Sequence, residues 1–314
     1  MGKISFVFPG QGSQYAGMGK EVNDNFPCAA EVFARADKAL GFSLSELCFN
    51  GPEESLKLTE NTQPAILTVS VAVLRVLEER GFAPAYVAGH SLGEYSALVC
   101  AGALSLEDAV VAVRKRGRYM QEAVPPGVGA MAAVLGLPAP VVAEVCREAS
   151  GEGTVAPANF NSPDQTVIAG DSAAVQRASE KLLKRGAKRV LPLIVSAPFH
   201  CTLMKSAQCR LAGDLSSLTF QDLSLPLINN VDAAEVTRGE AARDSLIRQV
   251  CAPVRWVESI RRLAGLSVTH FVEVGPGRVL SSLVKKIAPQ VQACSTDGIR
   301  GIEALASVLA DATM

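Results

Sequence analysis

Short apolar runs alternate with longer stretches of helical period along the whole chain. Ile4–Phe8 is one such run, and a helical pattern follows from about Lys20; Tyr86–Gly89 is another, with helical segments after it through Gln121. Short runs bounded by turn residues and separated by helices predict an α/β layer structure with a mostly parallel sheet. Pro64–Arg80 is apolar on nearly every face, through Ile66, Leu67, Val69, Val71, Val73, Leu74, Val76 and Leu77, which predicts a helix buried against that sheet.

Pro125-Pro126-Gly127 interrupts this pattern, and a different order follows. Ala130–Leu137 reads as strand, Ala139–Ala149 as helix, Thr154–Phe160 and Gln165–Ala169 as strands, Ala173–Arg185 as helix and Lys188–Val195 as strand. That β-α-β-β-α-β order is the ferredoxin-like arrangement, expected here as an inserted subdomain. The expected division is a discontinuous catalytic subdomain, 1–126 with 196–314, and a small one, 127–195. The larger pattern resumes after about Val195, with a strand at His270–Val274 and a closing helix near Ile302–Ala310. Neither an internal repeat nor a low-complexity segment is present.

Composition narrows the function classes. A chain of 314 residues with 48% hydrophobic content can bury one large core or two smaller ones. Lys+Arg at 30 against Asp+Glu at 31 leaves a net charge of −1, so no global basic field draws nucleic acid or anionic lipid. The first apolar run is broken by Pro9-Gly10 and is too short for a signal-peptide core, and no stretch reaches the length of a membrane span. The eight cysteines stand singly, without a CxxC pair or metal-ligand spacing. Reduced thiols, a cytoplasmic location and no bound metal are the expectations.

Candidate chemistry sits at Gly89-His90-Ser91-Leu92-Gly93, which follows a strand signal and leads into a helical pattern. This is the G-x-S-x-G turn in the strand-to-helix context that presents a nucleophilic serine. The turn also places the amide of Leu92 at a helix N-terminus, where it can stabilise an oxyanion. A serine hydroxyl needs a base, and the chain offers only His90, His200 and His270. His90 precedes the nucleophile and should point away from it, and His270 opens an apolar strand. His200, in the Pro-containing break Ser196-Ala197-Pro198-Phe199-His200, is left as the base. On a helix from Ala109 to Gln121, Arg116 shares a face with Ala109, Ala112, Val113, Tyr119 and Met120, so it is the basic residue that points inward. A desolvated guanidinium needs an anion, either an internal Asp or Glu or a substrate. Gly10-Gln11-Gly12 lacks the third glycine of a dinucleotide fingerprint, because Tyr15 stands in its place, and Gly275-Pro276-Gly277 reads as a tight strand-to-helix turn.

Several motifs in order resemble the malonyl-CoA:acyl carrier protein transacylases. They are Phe8-Pro9-Gly10-Gln11-Gly12-Ser13-Gln14, Thr62-Gln63-Pro64-Ala65, Gly89-His90-Ser91-Leu92-Gly93-Glu94-Tyr95, Arg116-Gly117 with Met120-Gln121, Asn159 to Gly170, and Ala197-Pro198-Phe199-His200. Gln249 with Pro253-Val254-Arg255-Trp256, and Val274-Gly275-Pro276-Gly277, continue the likeness over nearly the whole chain. The resemblance implies an α/β-hydrolase-like core with a ferredoxin-like insert. It further implies Ser91 as nucleophile, His200 as base, and the backbone amides of Gln11 and Leu92 as the oxyanion hole. Arg116 and Gln63 would bind substrate, Arg116 by gripping the malonyl carboxylate, and Phe199 would narrow the space beside the acyl α-carbon. A main-chain carbonyl near Gln249 would orient the histidine in place of an aspartate, and no cofactor would be needed. Cys201-Thr202 departs from the small hydroxyl residues of many relatives and sets a thiol beside the base, which suggests sensitivity to alkylation.

Malonyl-CoA and an acyl carrier protein are the partners the resemblance implies, in fatty acid or polyketide synthesis. An acidic carrier would seek basic surface, and Lys181, Lys184, Arg185, Lys188 and Arg189 cluster at the end of the insert's second helix, where they equally suit the helix dipole. The same nucleophile and base would serve an esterase or thioesterase in which water replaces the thiol acceptor. A carrier-binding module with a degenerate site is the non-enzymatic alternative.

Overall fold

The computed structural model describes residues 2–151 and 153–313. Its strands are β1 (Lys3–Phe8), β2 (Tyr86–Gly89), β3 (Gly129–Leu135), β4 (Val155–Ser162), β5 (Gln165–Asp171), β6 (Arg189–Pro192), β7 (Leu227–Ile228), β8 (Glu235–Val236), β9 (Val268–Glu273) and β10 (Gln292–Ser295). Six of them form a sheet in the order β10-β9-β1-β2-β7-β8, parallel throughout except for β8 at its edge. Helices cover both faces, which is why the end of β1 is a continuous buried run, Ser5–Phe8, rather than an alternation. The helix Thr59–Glu79 lies in the larger core with most of its residues buried. It starts five residues before Pro64, where the sequence predicted its start; the proline sits inside the helix, and its carbonyl accepts the Thr68 hydroxyl at 2.8 Å.

β3 to β6 form a second, antiparallel sheet in the order β4-β5-β3-β6, backed by the helices Ala139–Ala149 and Ser172–Lys184 around their own small core. That strand order is the ferredoxin-like one. β6 ends at Pro192, short of the predicted Val195, although Leu193 N still donates to Met131 O of β3 at 2.9 Å. The two sheets are stitched together. Phe160 N donates to Val254 O and Val254 N donates to Ala158 O, both at 2.9 Å, and His90 Nε2 lies 2.9 Å from Asn161 Oδ1. The closing helix runs Gly298–Thr313, longer than predicted at both ends. Among the described residues no helix is long and apolar enough to cross a membrane.

Register decides where the loops meet. Phe8 is level with Gly89 and Ala88 with Ile228, so the chain leaves β1 toward Gln11, β2 toward Ser91 and β7 toward Asn230 at one carboxyl edge. This is the edge at which α/β sheets present ligand-binding loops.

Candidate active site

At the end of β2 the chain reverses into the helix Gly93–Cys100 through Ser91, whose φ of 52° lies in the left-handed region. Such a conformation in a non-glycine residue costs about 1–3 kcal/mol and must be held by its surroundings. The turn is possible only because its flanks lack side chains. A Cβ on Gly89 would overlap the backbone of Gly93, and one on Gly93 would overlap the carbonyl of Phe8. Asn230, fully buried, locks it from the β7 side: its Oδ1 accepts Ser91 N at 2.7 Å and its Nδ2 donates to Gly89 O at 2.7 Å.

The Ser91 hydroxyl lies 2.7 Å from His200 Nε2, and His200 Nδ1 lies 2.9 Å from the main-chain oxygen of Gln249. Because a carbonyl can only accept, Nδ1 carries the proton, Nε2 is the acceptor and the serine hydroxyl donates to it. Gln249 is the last residue of the helix Gly239–Gln249. Its carbonyl belongs to the helix end that carries partial negative charge, which suits it to an imidazolium without any carboxylate. Burial first, and then the Arg116 charge, push the His200 pKa down to about 3, so the ring is neutral and ready to accept a proton. His200 also has a positive φ, 60°, a second strained residue at the same site. The other histidines are engaged elsewhere. His90 bonds Asn161 and meets Trp256 edge to face, while His270, inside β9, lies 2.8 Å from Thr269 Oγ1.

Arg116 is 2% exposed, on the inward face of the helix Leu106–Glu122, which is capped by Ser105 accepting from Asp108 N. Its guanidinium donates to Gln63 Oε1 at 2.8 Å, Gln249 Oε1 at 2.9 Å and Ser91 Oγ at 3.1 Å. Nε has no partner, and among the described residues no carboxylate lies within ion-pairing distance of the guanidinium. The internal Asp or Glu that could have paired with it directly is therefore absent among those residues. A cation held by neutral groups in a dry site has the chemistry to receive an anion.

These groups line a cavity of about 110 Å³, closed by Gln11, Leu92, Met120, Phe199, by Met131 and Asn159 from the antiparallel sheet, and by Leu193 and Val195 from the segment that follows β6. Among the described residues the amides of Gln11 and Leu92 donate to no protein group, and both residues face the cavity beside Ser91. The Gln11 side chain is tied back to Thr59 Oγ1 at 3.3 Å, itself 2.8 Å from Ser196 Oγ. A wider groove of about 590 Å³, bordered by Lys57, Gln165 and Ile194, shares Gln11, Leu193 and Val195 with the cavity and leads outward from it. The arrangement can add a serine oxygen to a carbonyl, hold the resulting oxyanion, and bind a carboxylate nearby.

The structure thus brings Ser91, His200, Arg116, Gln63, Gln11, Leu92, Phe199 and Gln249 into one place. It changes two expectations. Cys201 is buried, its thiol donates to Pro198 O at 3.0 Å, and burial pushes its pKa up to about 11, so it is a protonated packing residue rather than an alkylation-prone one. In the basic cluster, Lys181 pairs with Glu148 and Arg185 with Glu144 and Glu148, which neutralises two of its five residues. Lys184, Lys188 and Arg189 make no ion pair among the described residues. Gly275-Pro276-Gly277 is the tight turn expected, and Glu273 before it caps the helix Val279–Ile287 by accepting from Leu280 N at 2.9 Å and Ser281 N at 2.7 Å. Sequence reasoning missed Asn230 and the side chains of Gln249 and Glu94; their only signal was a glutamate one position past the turn.

Residues 5–302 match the family model described as acyl transferase domain. The malonyl CoA-acyl carrier protein transacylase of Escherichia coli (strain K12) is 51% identical over 294 residues, covering 93% of this chain and 95% of that protein. Its counterpart in Bacillus subtilis (strain 168) is 49% identical over 304 residues, 96% of each chain. Among solved structures, an acyl carrier protein S-malonyltransferase from Vibrio cholerae is similar with a TM-score of 0.95 and 44% identity, covering 96% of this chain and 99% of that one. A malonyl-transacylase in complex with a type II PKS acyl-carrier protein is similar with a TM-score of 0.94 and 45% identity, covering 96% and 98%.

Proposed function

The chain belongs to the acyl transferase domain family, and from that premise we propose that it carries a malonyl group from malonyl-CoA to acyl carrier protein by way of an ester on Ser91. It is an acyltransferase of fatty acid or polyketide synthesis.

His200 Nε2 takes the proton of Ser91 Oγ as that oxygen attacks the thioester carbonyl. The amides of Gln11 and Leu92 hold the oxyanion. Collapse expels coenzyme A as a thiolate, which recovers the proton from His200 and leaves malonyl-Ser91. In the second half the pantetheine thiol of the carrier gives its proton to His200 and attacks the ester; Ser91 leaves and is reprotonated. Protons balance on one imidazole, and coenzyme A and pantetheine enter only as parts of substrates, so the cycle uses no cofactor. The Gln249 carbonyl keeps the imidazole in the required tautomer throughout.

The observation that carries the substrate reading is Arg116: a buried guanidinium without a direct carboxylate partner, 3.1 Å from the nucleophile. A malonyl ester on Ser91 would bring its free carboxylate to that cation, whereas an acetyl group would leave the cation unpaired. Phe199 borders the same cavity and limits the space beside the acyl α-carbon.

Residues 127–195 act as the smaller unit, and its strand end supplies Leu193 and Val195 to the mouth of the site. Lys184, Lys188 and Arg189 offer the unneutralised part of a surface for an acidic carrier. A cytoplasmic location fits eight free thiols. Incubation with malonyl-CoA followed by peptide mass spectrometry tests the reading. Malonyl on Ser91 that is released by a pantetheine thiol supports it, and release by water at an equal rate would mark a hydrolase.

A further inference from the structure

Behind the nucleophile lies a carboxylate that no step above uses. Glu94, in the first turn of the helix Gly93–Cys100, is fully buried. Its Oε1 accepts the Ser245 hydroxyl at 2.9 Å, and its Oε2 accepts Asn230 N and Gln249 Nε2, each at 2.9 Å. It is not a triad acid, because the His200 Nδ1 proton goes to the main-chain oxygen of Gln249. The other end of the same Gln249 amide, Oε1, accepts from Arg116 at 2.9 Å. Cation, amide and anion therefore stand in a row, and the amide dipole is aligned favourably with both charges.

The row solves a problem set by the site. A buried guanidinium needs a counter-charge, yet a carboxylate bonded directly to it would occupy the donors that a substrate carboxylate requires. One interposed amide supplies the opposite charge nearby and leaves the receptor open. We propose that Glu94 is a positioning residue for the substrate's carboxylate: through the side-chain amide of Gln249 it holds the Arg116 guanidinium aimed into the acyl cavity without neutralising it. This rests on the malonyl reading of the site.

A pH signature follows. Burial raises the Glu94 pKa to about 7, against the lowering effect of its three donors and of Arg116. The charged and titratable groups facing it are Arg116, from the helix Leu106–Glu122, and Tyr95 on its own helix; Ser245, Asn230 and Gln249 contribute neutral dipoles. Above that pKa the carboxylate accepts from all three donors. Below it the added proton claims an acceptor position, the Gln249 amide loses its anchor, and carboxylate binding weakens.

The test compares kcat/KM for malonyl-CoA and acetyl-CoA from about pH 5 to about pH 9 in the full-length wild type, Glu94→Gln and Ser245→Ala. Glu94→Gln should lower the malonyl value about 10- to 100-fold, mainly through KM, and remove the acidic limb of its profile, while acetyl transfer stays within about threefold. Ser245→Ala keeps the charge but removes a donor, so it should move that limb to higher pH. A folded Glu94→Gln with an unchanged malonyl-to-acetyl ratio, or with both substrates falling in parallel, overturns the proposal. If Glu94→Gln does not fold, a limb that stays in place in Ser245→Ala overturns it. Wild type that transfers no malonyl group would instead overturn the functional reading beneath it.

Discussion

Replacing Arg116 by alanine should separate recognition of the acyl group from the chemistry performed on it. In wild type the guanidinium meets Gln63, Gln249 and the Ser91 hydroxyl in a site that is 2% exposed. A malonyl carboxylate would share those donors with the free Nε in charge-assisted hydrogen bonds. Truncating one partner of such a buried charge pair costs about 2–5 kcal/mol. At about 1.4 kcal/mol per tenfold, malonyl kcat/KM should fall roughly 30- to 4000-fold. Acetyl transfer has no carboxylate to lose, and the variant no longer holds a cation that acetyl leaves unpaired. Its rate should stay level or rise. The substitution also leaves Gln63 Oε1 and Gln249 Oε1 without their donor, at about 1–3 kcal/mol each in folding stability, so a urea unfolding curve belongs beside the kinetics. The assay is the ratio of malonyl to acetyl kcat/KM in the two proteins. A ratio that does not change would mean that Arg116 serves only the fold, and the substrate assignment would lose its physical support.

Two further outcomes are expected. With acetyl-CoA, which does not depend on the carboxylate receptor, the rate should show no acidic limb from His200 between about pH 5 and pH 8, because burial and Arg116 keep that imidazole neutral down to about 3; in Arg116→Ala the limb should move up toward the ordinary histidine range, and a wild-type limb already in that range would contradict the geometry. Reversing Lys188 and Arg189 to glutamate should raise KM for the carrier protein and leave KM for malonyl-CoA unaltered, whereas reversing Lys181, already paired with Glu148, should do less; equal effects on both substrates would remove the docking surface.

What could be read from the chain and what could not divide along sequence distance. The turn at Ser91 is largely local: its glycines, the strand before it and the helix after it lie within a dozen residues, and the overlap that demands Gly89 arises inside the same segment, whereas the one that demands Gly93 comes from Phe8 on the neighbouring strand. The inward aim of Arg116 follows from helical period alone. The partners of both residues are not local. Asn230 reaches Ser91 only because the two-residue strand β7 pairs with β2 in a register that levels Ile228 with Ala88, and nothing in so short a strand announces it. Gln249 bonds Ser91 O, Glu94 and Arg116 through its side chain and His200 through its carbonyl, a convergence set by where one helix ends. The helix Thr59–Glu79 begins before the apolar run that predicts it, because Thr59, Glu60, Asn61, Thr62 and Gln63 are all polar and carry no apolar period. The basic cluster looked uniform in sequence because Glu144 and Glu148 come from a different helix, and only the packing of the small subdomain sets them against Lys181 and Arg185.

The central claim is that one serine carries the acyl group between two thiols. Wild type and Ser91→Ala incubated with malonyl-CoA, digested and mapped by mass spectrometry, test it most directly when the labelled protein is then exposed to holo carrier protein or to buffer alone. Malonyl on the Ser91 peptide of wild type only, discharged by the carrier far faster than by buffer, is the predicted result. Label on another residue, label that persists in Ser91→Ala, or discharge that the carrier does not accelerate would contradict it.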